Sequence, residues 1–277
     1  MGIVCTKAGL GQTAGARFFK ERSLSVLPQL ETHDVYFIDG DHNYYTVLNE
    51  LRLTNPQPLK RPLIILHDVG WPWARRDHYC SPQDIPEAFR HPFSTNLGVA
   101  PGRNELGPGG FSGDSSAYTY GAADHENGPR NGVLTAVEDF LREQPADEWR
   151  LALVPSVFGL GILYAPAQCS RAVSELLERL TAAVETLKPM LELLERNRVD
   201  LFMVYLENVK QLAAIHGEYD RLHEKFEHLH ETFERLHAEY SKLNAHSDSL
   251  LANYDDLRRH YESLKHTCEE LQRAGSR

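Results

Sequence analysis

The chain has 277 residues, 42% hydrophobic, 9% aromatic and 25% charged, enough for one globular domain with an appendage. Its 29 basic and 39 acidic side chains leave a net charge of −10, which argues against a phosphate-backbone binder, since that needs a basic face to release counterions. No apolar run reaches the roughly 18 to 20 residues of a membrane-spanning helix, so the expected partners include neither nucleic acid nor membrane.

The first fifteen residues lack a charged segment followed by a long apolar one, so no secretory signal is expected. Cys5, Cys80, Cys169 and Cys268 are scattered, without the clustered spacing of a disulfide framework or a structural zinc site. A reduced, cytoplasmic protein is the expectation. Ile3-Val4-Cys5 leads into Gly9, Gly11 and Gly15, a lone glycine triplet of little weight as a nucleotide-binding turn. No acidic residue follows where a ribose ligand would be expected.

Strands are predicted at Val35-Tyr-Phe-Ile38 and Leu63-Ile-Ile-Leu66, with a helix from Tyr44 to Leu53 between them on the spacing of Tyr44, Val47, Leu48 and Leu51. All-apolar strands alternating with helices point to a parallel α/β sheet. Residues 69–131 are rich in Gly, Pro, Asp and aromatics without periodicity, the composition of a functional lid or a disordered segment. A helix is predicted at Val133–Glu143, with Val133, Val137, Phe140 and Leu141 on one face. Leu151–Val154 and Gly161–Tyr164 read as a closing hairpin.

Composition changes at about residue 168, dividing an α/β domain (1–168) from a helical region (169–277). From Ile215 onward, leucines at heptad position d (Leu222, Leu229, Leu236, Leu243, Leu250, Leu257, Leu264, Leu271) alternate with Tyr219, Phe226, Phe233, Tyr240, Tyr254 and Tyr261 at a. That is a coiled-coil pattern, and it makes a homo-oligomer the expected assembly. A single long helix packed back on its own domain would also suit it. Pro189 is expected to break or kink the helix, and Arg198 and Asn208 interrupt the seam. His216, His223, His230 and His237 fall at position e, on a solvated flank or in a pH-tuned or metal-bridged assembly.

The chemistry-bearing residues lie where the two predicted strands end. Asp39, Asp41 and His42 follow the first; His67 and Asp68 follow the second. Ligands of α/β proteins sit at that edge. If the strands are neighbours, Asp39, His67 and Asp68 come together as two carboxylates and an imidazole, a donor set for a divalent cation, with His42 placed as a general base. Asp39 and Asp41 equally suit a turn and helix cap before Asn43, and spacing does not choose between the two readings.

The run Val35-Tyr-Phe-Ile-Asp-Gly-Asp-His-Asn-Tyr44, followed by Leu63-Ile-Ile-Leu-His-Asp-Val69, resembles the second half of class I S-adenosylmethionine-dependent methyltransferases, in the subgroup with an I-D-G-D-H-x-Y strand end and a later H-D strand end. Trp71-Pro72, Gly128-Pro-Arg-Asn-Gly132 and Gly159-Leu-Gly-Ile-Leu-Tyr164 extend the resemblance over roughly residues 20–165. It implies a partial Rossmann-like sheet, S-adenosylmethionine as cofactor, and O-methylation of a sugar or other small-molecule hydroxyl. It also implies Asp39, His67 and Asp68 as ligands of Mg²⁺ or another divalent metal, with His42 where metal-dependent relatives place a lysine base. Trp71, Trp73, Tyr79, Phe111, Tyr118 and Tyr120 would stack on the acceptor, and Arg75, Arg76 and Arg103 would hold an anionic group. The family's glycine-rich cofactor turn ordinarily lies much further ahead than the 38 residues preceding Asp39 here. The expectation is therefore weak cofactor binding by this chain alone. The alternative is a catalytically inactive remnant that serves as a coiled-coil oligomerisation or scaffold module.

Overall fold

The computed structural model describes residues 2–5, 16–55, 60–111 and 120–274. Gly9, Gly11, Gly15 and Tyr118 lie outside them. The chain divides into two compact units between Val209 and Lys210.

The first unit opens with an antiparallel ribbon of β1 (Gly2–Cys5) and β2 (Ala16–Phe19), then a single helical turn, α1 (Ser23–Val26). Its centre is a four-stranded mixed sheet. Strands β3 (Val35–Ile38) and β4 (Leu63–His67) are parallel, with Phe37 opposite Ile65 and Ile38 opposite Leu66. The helix between them, α2 (Tyr44–Thr54), buries Tyr44, Val47, Leu48 and Leu51. Its N-cap is Asn43, whose Oδ1 accepts from Thr46 N at 2.9 Å, while Asp41 accepts from the Thr46 hydroxyl at 3.1 Å. Asn43, not Asp41, therefore caps the helix.

After α3 (Val133–Glu143) the chain forms β8 (Arg150–Val154) and β9 (Leu160–Tyr164), counting three short strands described below. The two pair as the expected hairpin, and β9 then joins β4 antiparallel, giving the order β3-β4-β9-β8. The parallel sheet expected from sequence is thus parallel over one pair only, because a short turn can return a strand only in the antiparallel sense.

Helices α2 and α3 cover one face of this sheet, where Ile38, Ile64, Leu66 and Leu163 meet Val47, Leu51, Val137 and Phe140 in the main core. The other face is covered over Ala152 and Tyr164 by Leu177 and Leu180 of α4 (Arg171–Ala274). At the edge strand β3 that covering stops, and Val35 and Phe37 are exposed.

The described parts of residues 69–131 carry more regular structure than their composition suggests. Strands β5 (His78–Tyr79), β6 (Phe93–Ser94) and β7 (Gly121–Ala123) form a second sheet of order β5-β7-β6. Its packing is unusually polar. Arg76 is fully buried and donates to the carbonyls of Ala123 and Asn104. Asp77 is equally buried: its Oδ1 accepts from Tyr44 N at 2.7 Å and Gly132 N at 2.8 Å, and its Oδ2 from the Tyr79 hydroxyl at 2.9 Å. One carboxylate thereby fastens the N-terminal ends of both α2 and α3, where helix dipoles favour negative charge. Gly132 has φ 89°, and a Cβ there would lie 2.5 Å from Ala74 O and Arg76 N, so no larger residue fits.

Helix α4 continues through Pro189 without a break. Pro189 and Glu185 are exposed, so the single carbonyl that loses its amide partner there can turn to water. In the second unit the heptad leucines and aromatics are exposed, Leu222 and Leu264 among them. Three of the e-position histidines stack on the aromatic one turn before, as Tyr219–His223, Phe226–His230 and Phe233–His237. Among the described residues no helix is long and apolar enough to cross a membrane.

Candidate metal centre

The parallel pairing of β3 and β4 aligns their C-terminal ends, and this brings the predicted site residues together. Asp39 Oδ1 lies 3.5 Å from His42 Nε2 and 3.3 Å from His67 Nδ1. Asp68 Oδ2 lies 3.1 Å from His42 Nε2 and 3.3 Å from His67 Nδ1. Asp39, His42 and Asp68 each offer a ligand atom within 4.8 Å of the other two. Asp39 is half exposed and Asp68 nearly buried, so the cluster opens on one side only.

Asp68 holds a left-handed backbone, φ 59°, immediately after the strand. Aspartate tolerates that region better than most residues, but the conformation still costs about 1–3 kcal/mol, and such strain concentrates at functional sites. Burial pushes the Asp68 carboxyl above its ordinary range, and the His42 and His67 charges pull against that shift.

The two imidazoles differ in their other partners. His67 Nε2 lies 2.9 Å from the Val157 carbonyl oxygen. A carbonyl can only accept, so Nε2 carries a hydrogen, while Nδ1 faces two carboxylates, toward which it turns either a second hydrogen or, with a cation between them, its lone pair. That is the orientation of a metal-ligating histidine held by a backbone carbonyl behind it. His42 Nε2 is buried, faces both carboxylates, and has no hydrogen bond of its own among the described residues.

The donor set fits a divalent cation. A shell with bonds of about 2.1 Å separates neighbouring donors by about 3.0 Å if octahedral and about 3.4 Å if tetrahedral. The carboxylate–imidazole separations here are 3.1 to 3.5 Å. Imidazole beside carboxylate favours a first-row transition metal over Mg²⁺, which prefers oxygen alone.

The cluster forms the floor of a cleft of about 440 Å³ lined by Trp73, His78, Cys80, Phe111, Tyr120 and Phe158. The His78 ring lies 4.3 Å from Trp73 and 5.1 Å from Tyr120, and burial, with the neighbouring His42, pushes its pKa down to about 3. It is therefore a neutral wall. Burial and Asp41 push the Cys80 thiol up to about 11, which leaves it protonated at neutral pH. No lysine or arginine lines the cleft among the described residues. Of the expected anion-holding arginines, Arg75 forms a two-pronged pair with Glu138, Arg76 is committed to backbone carbonyls, and Arg103 is exposed elsewhere. Of the expected stacking residues, Trp73, Phe111 and Tyr120 line the cleft, whereas Tyr79 is buried under the second sheet and Trp71 packs behind Phe111.

Two residues beside the cleft, Val157 and Phe158, escaped sequence reasoning. Val157, Phe158 and Gly159 form a turn with φ of 53°, 65° and 86°, and the β-branched Val157 is far outside its usual range. A Cβ on Gly159 would lie 2.3 Å from Gly70 N, so glycine is required where the turn meets the end of β4. No sequence signal marks Val157, whose backbone, not side chain, does the work. No family model matches the chain, and neither does any curated protein or solved structure.

Proposed function

We propose that this chain carries the metal- and base-bearing part of an S-adenosylmethionine-dependent methyltransferase acting on a hydroxyl of a sugar or other small acceptor. The observation that carries the reading is the convergence of Asp39, His67, Asp68 and His42 at the ends of adjacent parallel strands. A Rossmann-like sheet with strands missing beyond β3 is the fold this reading assumes, and the exposed Val35 and Phe37 at that edge are consistent with it.

Asp39, His67 and Asp68 would hold the ion, which when bound lowers the acceptor hydroxyl's pKa. S-adenosylmethionine supplies an electrophilic methyl carbon. His42 takes the acceptor's proton at Nε2, the nitrogen that faces Asp39 and Asp68. Trp73, Phe111, Tyr120 and Phe158 orient a ring-shaped acceptor and exclude water. Among the described residues no lysine or arginine lines the cleft, which favours an uncharged acceptor over a phosphorylated one.

The test is release of S-adenosylhomocysteine by the full chain, with high cofactor, Mn²⁺ and a panel of sugars and phenols. Release should stop with chelator and fall roughly a hundredfold or more in His42→Gln. No release across the panel, together with no cofactor binding by calorimetry, contradicts methyl transfer by this chain.

The second reading is an assembly module, favoured by the exposed stripe from Tyr219 to Leu271. A solvent-facing seam of this regularity is the surface a coiled-coil partner covers. The partner we propose is a second copy of the chain. Sedimentation of the full chain should show a dimer or higher oligomer that dissociates in a Leu222→Asp, Leu236→Asp, Leu257→Asp triple variant. A monomer at tens of micromolar contradicts it.

A further inference from the structure

The long helix reaches the candidate centre through one side chain. Glu195 Oε2 accepts from Val157 N and Oε1 from Phe158 N, both at 2.8 Å. Arg198, one turn further along α4, donates to both carboxylate oxygens and lies over the Phe158 ring, 4.3 Å from its centroid. From the other side, Gly70 N donates to Phe158 O at 2.6 Å. Two successive non-glycine residues in the left-handed region do not hold that shape unaided. Here a carboxylate takes both of their amides, and a guanidinium fixes the carboxylate.

We infer that Glu195 is a positioning residue for the candidate centre: by clamping the Val157–Phe158 turn it aims the Val157 carbonyl at His67 Nε2, and so sets which His67 nitrogen faces Asp39 and Asp68. The inference rests on the metal reading of that centre for its consequence, but not for its geometry. The turn carries two things to the site at once, the carbonyl that fixes His67 and the Phe158 ring that walls the cleft. Burial alone would raise the Glu195 carboxyl, but Arg198 and the two amides outweigh it and hold it near 2, so the clamp is charged throughout the neutral range. Arg198 thus interrupts the apolar rhythm of α4 because it holds Glu195 against the turn, not because the seam is faulty.

The test is the Nε2–H of His67 in the full chain without added metal, read from ¹⁵N–¹H correlations of histidine-labelled protein. The His67 signals are those absent from His67→Gln. Wild type should show a slowly exchanging, hydrogen-bonded Nε2–H whatever the state of Nδ1. Glu195→Gln, which keeps the size but loses the paired acceptor, and Glu195→Ala should both lose that protection. Glu178→Gln, which removes an exposed partner of Arg150 on the same helix, should leave the ring as in wild type. Cobalt(II) affinity should fall roughly ten- to a hundredfold in Glu195→Gln, the usual effect of losing an outer partner of a ligand. An unchanged Nε2–H in folded Glu195→Gln overturns the inference, and so does a wild-type ring without a protected Nε2–H. Failure of wild type to bind cobalt while the Nε2–H still follows Glu195 upholds the positioning role and removes only the metal reading.

Discussion

Asp68→Asn should leave the backbone in place and weaken divalent-metal binding by on the order of a hundredfold or more, above the range for loss of an outer-shell partner. Asparagine is the substitution of choice because it tolerates the left-handed conformation that Asp68 adopts, φ 59°. What it removes is one anionic donor, set 3.1 Å from His42 and 3.3 Å from His67. With that charge gone, the half-buried imidazoles face a neutral amide, and the remaining carboxylate, Asp39, is half exposed and screened. His67→Gln should weaken binding similarly, while His42→Gln should spare it if His42 is a base. Calorimetric titration with Mn²⁺ and Co²⁺ checks all three. Equal affinity in Asp68→Asn and wild type would remove Asp68 from the ligand set.

Glu50→Gln should stabilise the protein at neutral pH, an effect opposite to that expected of a charge lost from a surface. Glu50 projects from α2 into the interior, nearly fully buried, and its Oε2 has no hydrogen-bond partner among the described residues. Burial, aided by the nearby Asp41 and opposed by a hydrogen bond with Ser23, raises its pKa from 4.5 to about 7. Below pH 4.5 the acid is protonated in both states and costs nothing. Between 4.5 and about 7 the unfolded chain ionises while the folded one resists, so stability falls as pH rises. Above that window the deficit is constant, roughly 3 kcal/mol. Gln lacks the titration, so its advantage should grow across the window and vanish in acid. Denaturant unfolding at several pH values measures it, and parallel stability profiles for the two proteins would contradict the assignment.

The parts of the fold that were legible in sequence are those fixed by local pattern. Val35–Ile38, Leu63–His67 and Val133–Glu143 follow from apolar runs and helical spacing, and the helix face of Tyr44, Val47, Leu48 and Leu51 is the buried one. The convergence of Asp39, His42, His67 and Asp68 was legible for the same reason, because it needs only that two neighbouring strands be parallel. What sequence hid depends on partners far along the chain. Asp77 is buried because amides 33 and 55 residues away meet its carboxylate, so composition alone made residues 69–131 look like a lid. Arg75 and Arg76 looked like anion ligands until their own partners, Glu138 and two backbone carbonyls, came into view. Glu195 lies 38 residues from the amide of Val157, in a helix whose heptads drew attention to its apolar positions instead.

The most direct test of the metal centre is the visible absorption spectrum of the full chain titrated with cobalt(II), whose d–d bands report both binding and donor type. A centre of two carboxylates and at least one imidazole predicts saturable bands at one equivalent, reversed by chelator and lost in an Asp39→Asn, Asp68→Asn double variant that still folds. Bands absent from wild type, or unchanged in that variant, would contradict the assignment of Asp39, His67 and Asp68 as a metal site.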